Sequence, residues 1–140
     1  MKSIQKIISL LFLTILLGSA TLVSAQTQPE LIKNWTPLKE AKFHFDVSYA
    51  VVKCSPISKA KVLLNAFNEG GAYPKVGFKL ELKDAAGNKA TVEIPLFETK
   101  LGDMFIASCD SVKNANLMFD VPQGIDPRTM TIEITYITGS

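Results

Sequence analysis

Val76-Gly77-Phe78-Lys79-Leu80-Glu81-Leu82-Lys83-Asp84-Ala85-Ala86-Gly87-Asn88, continued by Lys89-Ala90-Thr91-Val92-Glu93-Ile94-Pro95-Leu96, is the stretch that decides the fold. Val76, Phe78, Leu80 and Leu82 alternate with Gly77, Lys79, Glu81 and Lys83, a period of two that gives a strand one apolar face. Asp84 to Asn88 is turn chemistry, with Gly87 and Asn88 suited to positive φ. Ala90, Val92, Ile94 and Leu96 then resume the alternation, so the stretch predicts a hairpin. Pro95 has no N–H to donate, which places this strand's end at a sheet edge or a bulge.

Working outward, the same period recurs. Phe43, Phe45, Val47, Tyr49 and Val51 alternate with Lys42, His44, Asp46, Ser48 and Ala50. The phase slips where Val52 and Cys54 take the other parity, and a bulge near Val51-Val52 would account for it. Val62, Leu64 and Ala66 share a parity while Leu63 and Phe67 take the other, as in a strand covered on both faces. Three more strands follow: a short one from Met104 to Cys109, one through Leu117, Phe119 and Val121, and a regular one through Met130, Ile132, Ile134 and Tyr136. Pro122 to Pro127 and Gly70 to Pro74 read as loops. The one weak helical candidate, Glu30 to Ala41, is interrupted by Pro37. About seven strands joined by short loops predict an all-β fold, an antiparallel β-sandwich, with a small closed β-barrel as the alternative.

The N-terminus has a different composition. Lys2 and Lys6 precede an apolar run from Ile7 to Leu17, and small residues lead to Val23-Ser24-Ala25, the signature of a cleavable secretory signal over 1–25. The run is shorter than the roughly 20 residues that span a bilayer, and no stable membrane anchor is expected after cleavage. Residues 26–42 are then an N-terminal arm or edge segment, and 43–140 one sandwich domain. The 140 residues less 25 leave 115, enough for one core. The chain holds 15 Lys and Arg against 13 Asp and Glu. Every acid follows residue 25, so the surplus of two is Lys2 and Lys6, and the mature portion is balanced. Such a domain lacks the long-range positive field that gathers phosphate backbones, which argues against nucleic-acid binding.

Export exposes the two cysteines, Cys54 and Cys109, to an oxidising compartment, where a disulfide between them is one expectation and a pair of buried free thiols the other. The strand count, length and signal resemble the immunoglobulin-like and fibronectin-III-like domains exported by many bacteria. The resemblance covers residues 43–137 and rests on patterning. The single tryptophan, Trp35, precedes both cysteines, so the Cys–Trp–Cys order of immunoglobulin domains is absent. Domains of this shape mostly bind or assemble, and many have no assigned role.

Candidate chemistry is sparse. His44 is the only histidine, and strand alternation sets it on one face with Asp46, a solvated pair lacking further ligands for a metal. Met104, Met118 and Met130 would have to converge for a copper carrier, but gap-filling is the commoner role of methionine. A Cys54–His44 pairing lacks an orienting acid, so no enzyme and no cofactor are expected. Asn34-Trp35-Thr36 matches the N-glycosylation acceptor, and Trp35 is expected to cap the core. Tyr73 in its Gly/Pro loop, Phe97 and Phe105 flanking Lys100 to Asp103, and Trp35 are the aromatics that could form a partner or ligand surface; the phenylalanines have core burial as the alternative. The leading expectation is a secreted or periplasmic, non-enzymatic binding or assembly module. It would act on an unknown protein partner or extracellular ligand through a surface or an edge strand. A small-ligand or glycan binder is the alternative, with a concave site rimmed by Tyr73, Phe97 or Trp35.

Overall fold

A computed structural model of the chain describes residues 28–110 and 112–140. The signal expected over 1–25 lies outside the described residues, as do residues 26 and 27 and Ser111. Eight strands form among those described: β1 (Glu30–Pro37), β2 (Phe45–Lys53), β3 (Ala60–Asn68), β4 (Lys75–Lys83), β5 (Lys89–Glu98), β6 (Met104–Ile106), β7 (Met118–Asp120) and β8 (Thr131–Gly139). A single turn of 3-10 helix, Ala115–Leu117, precedes β7. The first sheet runs β1-β2-β3, with β6 and β7 end to end along the far side of β3; the second runs β5-β4-β8. Every pairing is antiparallel and no strand of one sheet pairs with the other. The fold is an antiparallel β-sandwich and not a closed barrel.

The core sits where the alternation puts it. Val47, Tyr49 and Val51 of β2 face Val62, Leu64 and Ala66 of β3 across the register, and all are buried. Val76, Phe78, Leu80 and Leu82 of β4 and Ile132 of β8 close the layer from the second sheet. Burying each large apolar side chain contributes on the order of 1.5–3 kcal/mol. Phe78 is fully buried at the centre of a ring network, with Phe45 at 5.9 Å, Tyr136 at 5.7 Å and Phe97 at 5.7 Å between centroids. The predicted hairpin is β4–β5. Its turn takes positive φ at Gly87 alone, 90°, and Asn88 instead donates through its side chain and backbone to the Asp84 carboxylate.

Several local expectations need correction. The segment 30–37 is a strand rather than the start of a helix, because its exposed and half-buried residues pair with β2. The bulge read near Val51-Val52 belongs to β1. There Leu31 opposes Val52 and Lys33 opposes Val51, leaving Ile32 as the extra residue, while β2 and β3 pair without interruption. The phase slip in β2 has another cause: Ala50 and Val52, on the outer face, are buried as well. In β5 the alternation breaks at Pro95. Val76 opposes Phe97 but Phe78 opposes Ile94, so Phe97 replaces Leu96 on the inner side and Leu96 is exposed. Gly77 lies against this bulge; a Cβ there would stand 2.8 Å from the Ile94 carbonyl oxygen and 3.0 Å from the Leu96 nitrogen. The strand expected from Met104 to Cys109 ends at Ile106.

Candidate functional site

Cys54, just past β2, and Cys109, between β6 and β7, are joined by a disulfide with their Cα atoms 5.4 Å apart. β3 lies between β2 and the β6–β7 side, so the bond draws this connection back over β3 to the end of β2. Cys54 is thereby unavailable as a thiol. His44 is not on a strand; it occupies a left-handed turn, φ 58°, and its carbonyl accepts hydrogen bonds from the Glu69 and Gly70 N–H groups, each at 2.9 Å. Its Nδ1 lies 3.0 Å from Glu40 Oε1 on an open surface. The alternation that paired it with Asp46 on one face does not hold, because the positive φ precedes the strand. Met130 is fully buried, whereas Met104 is 62% exposed. Among the described residues no three His, Cys, Asp or Glu side chains are grouped to hold a metal.

Of the four aromatics singled out by sequence, Tyr73, Phe97 and Phe105 belong to one network and Trp35 stands outside it. Tyr73 meets Phe43 edge-on at 5.1 Å, and Phe43 continues to Phe45 and Tyr136. Phe97 stacks edge-on against Phe105 of the opposite sheet at 5.0 Å, so both half-buried rings close that side of the sandwich. Such contacts occupy the rings with each other. Trp35 is 44% exposed on β1 and does not cap the core. It lies at the second irregularity of β1, between the Lys33–Val51 and Thr36–Tyr49 pairs, and a bulge there turns its indole outward.

Because the sheets stay open, the sandwich has four edges, and three carry a device that hinders strand addition. β1 has two register shifts and an inward-pointing Lys33, whose Nζ donates to the Met130 carbonyl at 2.6 Å and sits 5.6 Å from the Tyr49 ring centroid. β5 is bent at Pro95. β6 and β7 span three residues each and are separated by the disulfide-tied connection. Bulges, buried charge, proline and shortness are the usual protections of a free edge. β8 has none of them. Its residues pair with β4 in unbroken register from Thr131–Lys83 to Gly139–Lys75, without proline or lysine. Among the described residues β4 is its one strand partner.

A groove of about 550 Å³ crosses the outer face of the first sheet. The register builds its floor from two rows: Ser48, Asn65 and Ile106 in one, Asp46, Phe67 and Met104 in the other. The intervening Val47 and Ala66 turn inward and are buried, so alternation sends the row residues outward. Pro37, Leu38 and Glu40 form the opposite wall. Met104 and Ile106 are exposed by 62% and 52%. Sequence reading passed over this groove. Its one trace was three consecutive apolar residues, Met104-Phe105-Ile106, which on a short strand must put apolar side chains on both faces. No family model, curated protein or solved structure matches this chain, so its function has to be read from these features of the fold.

Proposed function

We propose that this chain is an exported, non-enzymatic assembly module that receives a strand of a protein partner along the free edge of β8. The observation that carries the reading is the contrast among the four edges. Three are bulged, charged or cut short, while β8 offers nine residues in continuous register. A regular edge presents a row of unpaired N–H and C=O groups, and main-chain hydrogen bonds to an added strand supply affinity. The exposed Ile137 and the alternating Thr131, Glu133 and Thr135 give the added strand side-chain contacts on the outer face. The secretory pattern over 1–25 supports export, and a Cys54–Cys109 disulfide fits an oxidising compartment. The bonded state of Cys54 and the exposed, turn-borne His44 support a non-enzymatic role.

The test is a crosslinked pull-down of the mature, tagged protein from its own cell envelope, read by mass spectrometry with the crosslinks mapped. Wild type is run beside Thr135→Lys, which places a lysine on the edge strand, and beside Trp35→Ala on β1. A stoichiometric partner crosslinked within 131–139, kept by Trp35→Ala and lost in Thr135→Lys, is the expected result. A partner retained by Thr135→Lys, one crosslinked elsewhere, or no partner at all overturns the proposal.

A further inference from the structure

We infer that the groove across the outer face of the first sheet is a binding site for an amphipathic organic cation, a protonated amine or guanidinium on an apolar body. The site is independent of the β8 edge. Its volume, about 550 Å³, lies in the range of small-molecule sites. Its walls are apolar: Leu38 and Pro37 on one side, Met104 and Ile106 on the other. Two methionine and isoleucine side chains held in water on a three-residue strand are poor economy for a surface with no occupant, since apolar area left exposed forgoes about 25 cal/mol per Å².

The polar groups of the groove set the sign of the ligand. Among the described residues Asp46 and Glu40 are its charged lining residues, and no lysine or arginine lines it. Glu40 faces His44, but among the described residues Asp46 forms no ion pair. Half-buried on the floor, its carboxylate is screened less than one in open water, so a cation brought beside it gains more than it would at a flat surface. Asn65, next to Ser48 on the floor, adds a second unmet group: its Oδ1 is buried and has no hydrogen-bond donor among the described residues. A buried acceptor without a partner carries a desolvation cost, which a ligand N–H reaching the floor would relieve. An anionic ligand would meet two carboxylates and no donor of positive charge.

The experiment compares three probes with one tail, octylammonium, octyl glucoside and octanoate, each below its micelle concentration, on the folded, disulfide-bonded protein. Amide chemical-shift changes locate the binding and its titration gives Kd. Octylammonium is expected to shift the amides of Asp46, Ser48, Asn65 and Ile106 and to bind at least tenfold more tightly than octanoate. Asp46→Asn is expected to weaken octylammonium about tenfold while leaving octyl glucoside unchanged. Glu40→Gln, on the exposed connection, gives the same comparison should Asp46→Asn fail to fold. Equal Kd values for the cation and the anion overturn the inference, as do shifts confined to other surfaces or an undiminished cation affinity in the variants.

Discussion

Replacing both Cys54 and Cys109 by alanine removes a crosslink between positions 55 apart in sequence. Closing a loop of that length lowers the entropy of the unfolded chain by an amount worth about 4 kcal/mol at 25 °C in the chain-entropy model. A domain of roughly 110 residues unfolds with about 0.23 kcal/mol per degree of entropy near its midpoint, so the loss corresponds to a fall in Tm of about 17 °C. The structure adds where the loss acts. The bond holds the β6–β7 connection over β3, and the strands it spans are three residues each, too short to hold themselves. The assay is thermal unfolding followed by circular dichroism, with oxidised wild type, reduced wild type and the double variant side by side. Reduced wild type and the double variant should agree and both fall well below the oxidised protein. A drop of less than about 5 °C would refute the loop-entropy reasoning. Ready thiol labelling of both cysteines in the unfolded, unreduced chain would refute the bond itself.

Three further outcomes follow from local geometry. Gly77→Ala should destabilise the fold by about 1–3 kcal/mol in urea unfolding, because the added Cβ meets the bulged β5 backbone rather than a flexible side chain; an unchanged or raised midpoint would remove the bulge as the cause. The Asp84 carboxyl is held below its ordinary value, chiefly by the Asn88 side chain and then by the Asp126 backbone N–H. Its contribution is therefore present above the unfolded carboxyl pKa near 3.8 and lost as pH falls through the lower folded value. Asp84→Asn should flatten the acid limb of the stability profile below about pH 4, measured as the urea midpoint against pH. Tyr136→Phe deletes the hydroxyl that donates to the Lys39 carbonyl at 2.9 Å and should cost about 1 kcal/mol in the same assay. Burial above all, and then Asp46 and Glu40, raise the Tyr136 pKa. Its share of stability is present below the unfolded phenol pKa near 10.0 and lost at higher pH, so Tyr136→Phe should also soften the alkaline limb.

Alternation along the chain was sufficient to predict an all-β sandwich, and for a physical reason. A strand with one buried face must place apolar residues at every second position, and β4, β5 and β8 do so with few exceptions. The β4–β5 turn was legible for a similar reason: its Gly87 takes a positive φ, which glycine adopts without strain. Pro95 marked an edge or a bulge because it lacks an N–H, and β5 has both. The two cysteines allowed a bond, while only the folded chain could show that their Cα atoms stand within reach.

What alternation could not supply was the neighbour of each strand. The bulge read into β2 lies in β1, because a phase slip reports a change in burial and does not say which strand of the pair carries the extra residue. Trp35 faces outward at the second irregularity of β1, between Lys33 and Thr36, and Phe97 faces inward because the bulge at Pro95 reverses the parity after it. The groove joins residues from the end of β1, the β1–β2 connection, β2, β3 and β6, which share no local pattern and meet through sheet order alone. The exposed edge of β8 is likewise a property of topology: its sequence would read the same had another strand been paired along that side. Local sequence determined which residues extend and which side of each strand is apolar. Tertiary structure decided which edges remain open and which outward side chains converge, because both depend on pairings between residues far apart in the chain.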